Sequence, residues 1–311
     1  MATPLSPTPS LSIAPYMATA RRTWLNRETL AALVFLLPSL VGFIIFYAVP
    51  AVRALNISFT DWDLLTEPTA IGLDNYKRLL QDEAFWHALK VTSLYVLFNI
   101  PVQTVLAVVI AVMMHRLTKS IIVRGILLLP WLLPNVVVGL LWLWLLDTRI
   151  GIINTAIQAL GFSTIPFLGS VDYALPSIAV INIWRHVGYT ALLLFAGLQS
   201  IPGDVYEAAA IDGATEWRAF WSITIPLLRP VMVFVLITSV IGSFQIFDTV
   251  AITTGGGPVN ATKVLNWIVF EQAFERFNMG YATTISVVMF FMLILISIIQ
   301  MRLLRANESD F

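Results

Sequence analysis

The sequence predicts an all-α membrane protein, a bundle of six transmembrane helices. Three observations predict it. Hydrophobic residues make up 58% of the 311 residues and charged ones only 12%, with a mean hydropathy of +0.84. Soluble domains carry about 25% charge, so the solvent for most of this chain is lipid. Six runs reach the roughly twenty apolar residues that a span requires: Leu30–Val49, Leu89–Met113, Ile126–Leu146, Leu175–Leu198, Val231–Thr253 and Thr283–Met301. Between the fourth and fifth lies a charged, helix-prone interlude, residues 201–230, far longer than a plain helix connection needs.

Before the first span, residues 1–27 are rich in Pro, Ser and Thr and read as a disordered tail. Arg21-Arg22 superficially suggests a twin-arginine export signal. The apolar segment behind it is long enough to span and is followed by further spans, so the arginines orient the first helix instead. Prolines and glycines recur inside the spans, at Pro38, Gly42, Pro101, Pro130, Pro134 and Gly139. Bundled membrane helices tolerate them because neighbours re-satisfy the freed backbone groups, so kinked helices around a cavity are expected.

The first long loop, 51–88, contains Gly72-Leu73-Asp74-Asn75-Tyr76 and an amphipathic piece, Tyr76–Leu89, expected on the membrane surface. The second, 147–172, should be irregular with one short helix near Ile152–Leu160. The third opens with Thr254-Gly255-Gly256-Gly257-Pro258, a tight turn that needs positive backbone angles, and continues into a short helix at Val264–Phe274. With a cytoplasmic N-terminus, that side holds Arg21, Arg22, Arg27, Arg116, Lys119, Arg124, Arg218, Arg229, Arg302 and Arg305. The other side holds Arg53, Lys77, Arg78, Lys90, Arg149, Lys263 and Arg276, on longer loops. The compact loop 114–124, with three positives and no acid, carries most of this positive-inside bias. Both termini and the interlude then face the cytoplasm.

Within the interlude, Asp204 and Glu207 read as a capping box, Ala208, Ala209 and Ala210 favour helix, and Asp212-Gly213 ends it. Thr215 caps a second short helix carrying Trp217, Phe220, Trp221 and Ile225, which Pro226 is expected to stop. The product is a stiff helix–turn–helix bracket, shaped to be gripped by a partner, with its three aromatics tying it back to the spans.

Glu207-Ala208-Ala209, Gly213, Ile223 and Pro226 resemble the EAA signature of the permease subunits of binding-protein-dependent ABC importers. The pattern E-A-A-x-x-x-G-x(9)-I-x-L-P is met except for Ile225 in place of Leu. Gly72–Tyr76, Phe247-Asp248 and Thr254–Pro258 extend the likeness to the carbohydrate, MalF-type branch, over residues 28–305. The resemblance implies a type I importer fold, with a transmembrane domain at 28–305 and a short tail at 306–311 in a bacterial-type plasma membrane. It implies a second, different permease subunit, two cytoplasmic ATPase subunits gripping Glu207, Ala208, Ala209, Asp212 and Gly213, and an extracytoplasmic sugar-binding protein. ATP and Mg would sit on the ATPase subunits, since this chain has no G-x-x-x-x-G-K-[ST] loop and so no cofactor of its own.

Ionisable groups inside spans are costly and mark function by default. Arg185-His186 interrupts the fourth span beside Trp184 and Tyr189, and Ser239, Ser243, Gln245 and Asp248 make a polar stripe in the fifth. Ser239 and Ser243, four apart, share a helical face. One reading is an ion pair, Arg185 with Asp248, fastening two helices. The other is a cavity in which the aromatic rings stack on a sugar and the polar groups replace the water bonds of its hydroxyls. The MalF-type resemblance places Arg185, His186, Tyr189, Ser239, Gly242, Ser243 and Ile246 where that family contacts its sugar. Arg185 and His186 stand where the family's pattern has an apolar residue and a glycine, which implies a narrower cavity or an anionic or phosphorylated sugar.

Other classes fare worse. An ion-coupled transporter relaying protons through Asp248, Arg185 and His186 leaves the bracket without a purpose, and no inverted internal repeat is visible. No G-x-S-x-G or H-E-x-x-H occurs and no span holds paired carboxylates, against an intramembrane enzyme. Zero net charge argues against a nucleic-acid partner, and the absence of cysteine excludes disulfides and thiolate metal sites. His87, His115 and His186 form no H-x-x-x-H pair, against zinc.

Overall fold

A computed structural model describes residues 27–118 and 120–304. The expected N-terminal tail, the Arg21-Arg22 pair, Lys119, Arg305 and the C-terminal tail lie outside the described residues. The chain divides at Val52 into two compact units.

The first unit is helical. Helix α1 (Arg27–Phe43) passes through a widened π turn at Ile44–Ala48 into α2 (Val49–Ile57). The π turn closes with the Val49 N–H on the Ile44 carbonyl, just ahead of Pro50. A proline ring clashes with the carbonyl four residues back and offers no N–H. Widening the preceding turn removes the clash, so the helix continues instead of breaking. Leu33, Phe35, Phe43 and Phe46 are all exposed within the chain, as a lipid-facing or partner-facing helix requires.

In the second unit a two-stranded ribbon, β1 (Thr60–Asp61) and β2 (Thr69–Ala70), is followed by α3 (Asp74–Gln81) and α4 (Glu83–Leu117). The expected single amphipathic piece Tyr76–Leu89 is instead two helices broken at Asp82. The Asp82 side chain accepts from the Ala84 N–H and so caps α4. Nor does this piece simply lie on a surface: Leu79, Phe85 and Ala88 are buried in a core with Tyr281, Ile285 and Leu265. Asn75 fastens the ribbon, its Nδ2 donating to the carbonyls of Ser58 (3.1 Å) and Thr60 (2.9 Å).

The third apolar run is not one straight helix. It forms α5 (Ile121–Leu132) and α6 (Asn135–Leu145), which meet at 92°. Pro134 is the cause, because it has no N–H for the last turn of α5 and holds Leu133 extended at ψ 139°. Then come α7 (Ile152–Ala159), at the expected position, and α8 (Val171–Gln199). After α9 (Gly203–Ile211) and α10 (Glu216–Ala219), a second π turn at Phe220–Thr224 leads into α11 (Ile225–Phe244). Pro226 therefore does not stop the helix; it follows a widened turn just as Pro50 does. The fifth run breaks instead at Gln245–Phe247, before α12 (Asp248–Thr253). Gly255 and Gly256 take the expected positive φ, at 57° and 86°. Then α13 (Leu265–Phe270) and a π turn (Glu271–Glu275) precede α14 (Met279–Leu303). Among the described residues five helices are long and apolar enough to cross a membrane, or six if the bent pair α5–α6 counts as one span.

The spans pack through small residues, as lipid-embedded helices must. Ala107 and Ala111 of α4 and Ala191 of α8 are fully buried, with Leu194, Phe195 and Leu228 around them. A Cβ on Gly188 of α8 would sit 1.8 Å from the Leu127 carbonyl oxygen of α5. In the π turn after α13, Glu271 accepts from Lys263 (2.5 Å) and from Arg276. Burial pushes its carboxyl up, but the two cations outweigh this and the net shift is down. A group whose folded pKa is depressed stabilises the fold above its ordinary pKa, and that contribution is lost as pH falls through the folded value. Glu271→Gln is expected to lower the melting temperature at pH 7 and to shrink the gap to wild type below the usual glutamate range, measured by thermal unfolding across pH in detergent.

Candidate functional site

A polar cavity of about 260 Å³ opens between α4, α8, α11, α12 and the α5–α6 elbow. From α8 come Asn182, Arg185, His186 and Tyr189, and from α11 Ser239, Gly242 and Ser243. Gln245 and Ile246 enter from the break that follows α11, and Asp248 from the start of α12. The charged side chains and His186 are held by hydrogen bonds. Arg185 donates from Nη2 to the carbonyls of Leu133 (3.0 Å) and Trp131 (3.4 Å). Its Nη1 lies 3.3 Å from Nε2 of His186, whose Nδ1 lies 2.9 Å from the Asn182 carbonyl. A carbonyl only accepts, so the His186 proton is on Nδ1 and Nε2 takes the arginine's hydrogen. The Asp248 carboxylate accepts from Nδ2 of Asn135.

Nine of the ten residues expected along the path line this cavity: Arg185, His186, Tyr189, Ser239, Gly242, Ser243, Gln245, Ile246 and Asp248. Trp184 does not. One position before Arg185 on the helix, it turns into an apolar cluster, edge-on to Trp142 at 5.5 Å. Tyr189 has one face covered by Trp131, parallel at 4.5 Å, which leaves at most the other for a ligand. Arg185 and Asp248 share the cavity without an ion pair, since among the described residues the ion pairs lie elsewhere. Asp248 also leaves the Ser239–Ser243 stripe, because the helix breaks before it.

The bracket forms at the other end of α8. Pro202 precedes its first helix, and Asp204 lies inside the first turn, so the expected Asp204–Glu207 capping box is absent. With Pro202 at the cap position and the helix starting at Gly203, Asp204 is two positions too late to cap, though its charge still favours the N-terminal dipole. The end is built as expected. Gly213 adopts φ 76°, its N–H bonds the Ala210 carbonyl, and the Ala214 N–H reaches that of Ala209. This is the Schellman arrangement, which a left-handed residue permits. Thr215 caps α10 by accepting from the Arg218 N–H at 3.3 Å. Glu207, Ala208, Asp212 and Gly213 are exposed and Ala209 is half-buried.

The second arm is continuous with α11 through the π turn, so the bracket is one free helix folded back on the start of the fifth span. Of its three aromatics only the half-buried Phe220 faces the spans as expected, across a cleft from Val112, His115 and Leu198; Trp217 is 71% and Trp221 54% exposed, and they pack on Phe220. The ties are polar. Tyr206 meets Thr224 through its hydroxyl at 3.0 Å, and Arg116 pairs with Glu216 at 2.5 Å.

Residues 103–310 match the family model for the binding-protein-dependent transport system inner membrane component. The chain belongs to this family. The trehalose/maltose transport system permease protein MalF of Thermococcus litoralis is 32% identical, over 91% of this chain and 96% of that one. The sulfoquinovosyl glycerol transport system permease protein SmoG of Agrobacterium fabrum is 31% identical, over 92% and 94%. In fold the permease is similar to a chain of a bacterial ABC transporter involved in the import of the acidic polysaccharide alginate. That match has a TM-score of 0.76 at 22% identity, covering 91% of this chain and 97% of the other. The permease is thus a multi-pass inner-membrane subunit with the type I ABC importer fold.

Several cavity residues of the permease escape a reading of the sequence. Asn99 and Gln103 of α4 are buried, yet Asn99 donates to Ser243 (3.1 Å) and Gln103 to Thr190 (2.9 Å). Their spacing of four on one helix face was the available signal. Trp131 and Asn135 reach the cavity only because the third span bends there.

Proposed function

We propose that the permease carries a carbohydrate, an oligosaccharide or sugar derivative, through the cavity by alternating access, driven by ATPase subunits that grip the bracket. One observation carries this reading: the cavity and the bracket are two ends of the same helices. α8 runs without a break from Arg185 to Gln199 at the bracket's threshold, and α10 passes through the π turn into α11, which brings Ser239 and Ser243 to the cavity. A push on the bracket therefore moves two cavity walls.

The lining suits the cargo. Amides and hydroxyls from Asn99, Asn182, Ser239 and Gln245 replace water bonds to sugar hydroxyls, and the other face of Tyr189 can stack on a ring. Arg185 adds a cation with no carboxylate on it, which accommodates an acidic or phosphorylated sugar. The printed names of the relatives, a trehalose/maltose and a sulfoquinovosyl glycerol system, support the sugar class. Glu207, Ala208, Ala209, Asp212 and Gly213 form the docking surface. The bracket and both termini lie on the cytoplasmic side, a second and different permease subunit completes the path, and an extracytoplasmic binding protein delivers the sugar. ATP and Mg are bound by the ATPase subunits, not by this chain. A proton relay is disfavoured, because the Asp248 carboxylate is bonded to the Asn135 amide and not to Arg185 or His186.

The test is reconstitution of the permease with its partner permease, ATPase subunits and binding protein in proteoliposomes. ATP hydrolysis should rise when the binding protein is loaded from a panel of neutral and acidic oligosaccharides and sugar phosphates. Uptake of a panel sugar with no nucleotide hydrolysed would sink the reading.

A further inference from the structure

The 92° bend between α5 and α6 looks like a hinge, yet both of its ends are held. At the end of α5 the last-turn carbonyls have no helical partner, and Pro134 cannot supply the next N–H. Two carbonyls there, of Trp131 and Leu133, accept from Arg185 of α8. At the start of α6, its first residue, Asn135, donates to the Asp248 carboxylate at the start of α12. The charges have the stabilising sense, a cation at a helix C-terminus and an anion at a helix N-terminus. Close packing backs each grip. Gly188 sets α8 against the Leu127 carbonyl of α5, and a Cβ on Gly139 of α6 would lie 2.9 Å from the Ile252 side chain of α12.

We propose that Arg185 and Asp248 are positioning residues that clamp the two halves of the third span. The elbow is then a fixed wall of the cavity and not a moving joint. Arg185 fastens α5 to α8, Asp248 acting through Asn135 fastens α6 to α12, and the elbow travels with those helices as one body. This assigns the two charges a role apart from pairing with each other or with cargo.

The chain has no cysteine, so a pair of introduced cysteines carries spin labels without background from this chain, and it is labelled before assembly with its partners. Ile122 on α5 and Leu140 on α6, 71% and 55% exposed, straddle the elbow. The distance between labels is measured by pulsed electron resonance in the full complex, nucleotide-free and after trapping with ATP and vanadate. The expected result is one narrow distribution, unchanged by trapping. Arg185→Gln, and independently Asn135→Asp, which sets a second carboxylate against Asp248, should broaden it and make its mean shift on trapping. Arg185→Lys keeps a donor for the Leu133 carbonyl and should restore the narrow distribution, which a loss of fold would not. The proposal is overturned if the wild-type distance shifts on trapping, if both disruptive variants match wild type, or if lysine does not rescue. A complex that traps no nucleotide counts against the coupling reading above, and the nucleotide-free comparison of the variants then decides on the clamp alone.

Discussion

Replacing Gly188 with alanine is expected to unfasten α5 from α8 and to leave little folded permease in the membrane. The added methyl would fall 1.8 Å from the Leu127 carbonyl oxygen, a backbone atom in mid-helix that has no rotamer to escape into. Relief requires the helices to separate. That forfeits their packing and pulls the Trp131 and Leu133 carbonyls from Arg185. Overpacking of a tight core costs about 1–3 kcal/mol and sometimes more, and a clash with main chain belongs at the upper end. Gly125, on the same α5 helix but with open space at its Cβ position, is the control, and Gly125→Ala should be close to neutral. Comparing the two by yield of monodisperse protein and by melting temperature in detergent checks the expectation. Equal stability would mean that α5 and α8 do not approach as closely as described.

The second large effect is expected on coupling, not on folding. At Gly213 the backbone has φ 76° in an exposed turn with nothing within 4 Å of a built Cβ, so conformation is the sole constraint. A β-branched side chain in the left-handed region costs on the order of 1–2 kcal/mol. In Gly213→Val the turn should open and release the bonds to the Ala210 and Ala209 carbonyls, letting α9 swing. Spans and cavity remain intact, so the variant should insert and melt as wild type does. Co-purification of the ATPase subunits and ligand-stimulated ATP hydrolysis should fall about tenfold, the size of a 1.4 kcal/mol penalty. Gly213→Asn, which tolerates the left-handed region, should keep most of both. If valine assembles and transports at the normal rate, the bracket does not transmit force.

Much of this architecture was legible in the residues because its signals are local. Apolar runs of about twenty residues or more read as spans, and Thr215, Gly213 and the Gly255-Gly256 pair each specify a turn by chemistry that acts within four residues. The failures are phase errors. Asp204 misses its capping role by two positions and Trp184 points away from the cavity that Arg185 faces, because helix starts and faces are set by packing. The break at Leu133–Pro134 was hidden inside a run whose composition is the same on both sides. Pro130 sits within α5 without breaking it, so the proline alone does not announce the bend. Asn99 and Gln103 escaped notice because uncharged amides in an apolar run lack the desolvation cost that made Arg185 and Asp248 conspicuous. The absence of the Arg185–Asp248 ion pair follows from the same bend, which offered each charge a nearer partner.

The widened turn at Phe220–Thr224 has a consequence for direction. A π turn closes on the fifth residue where an α turn closes on the fourth, so it slips one residue into the ladder and rotates everything upstream by about 100° relative to an unbroken helix. The face that the exposed α10 presents is thus set independently of the face that α11 turns to the cavity. A sequence can retune one compass bearing while leaving the other where it was.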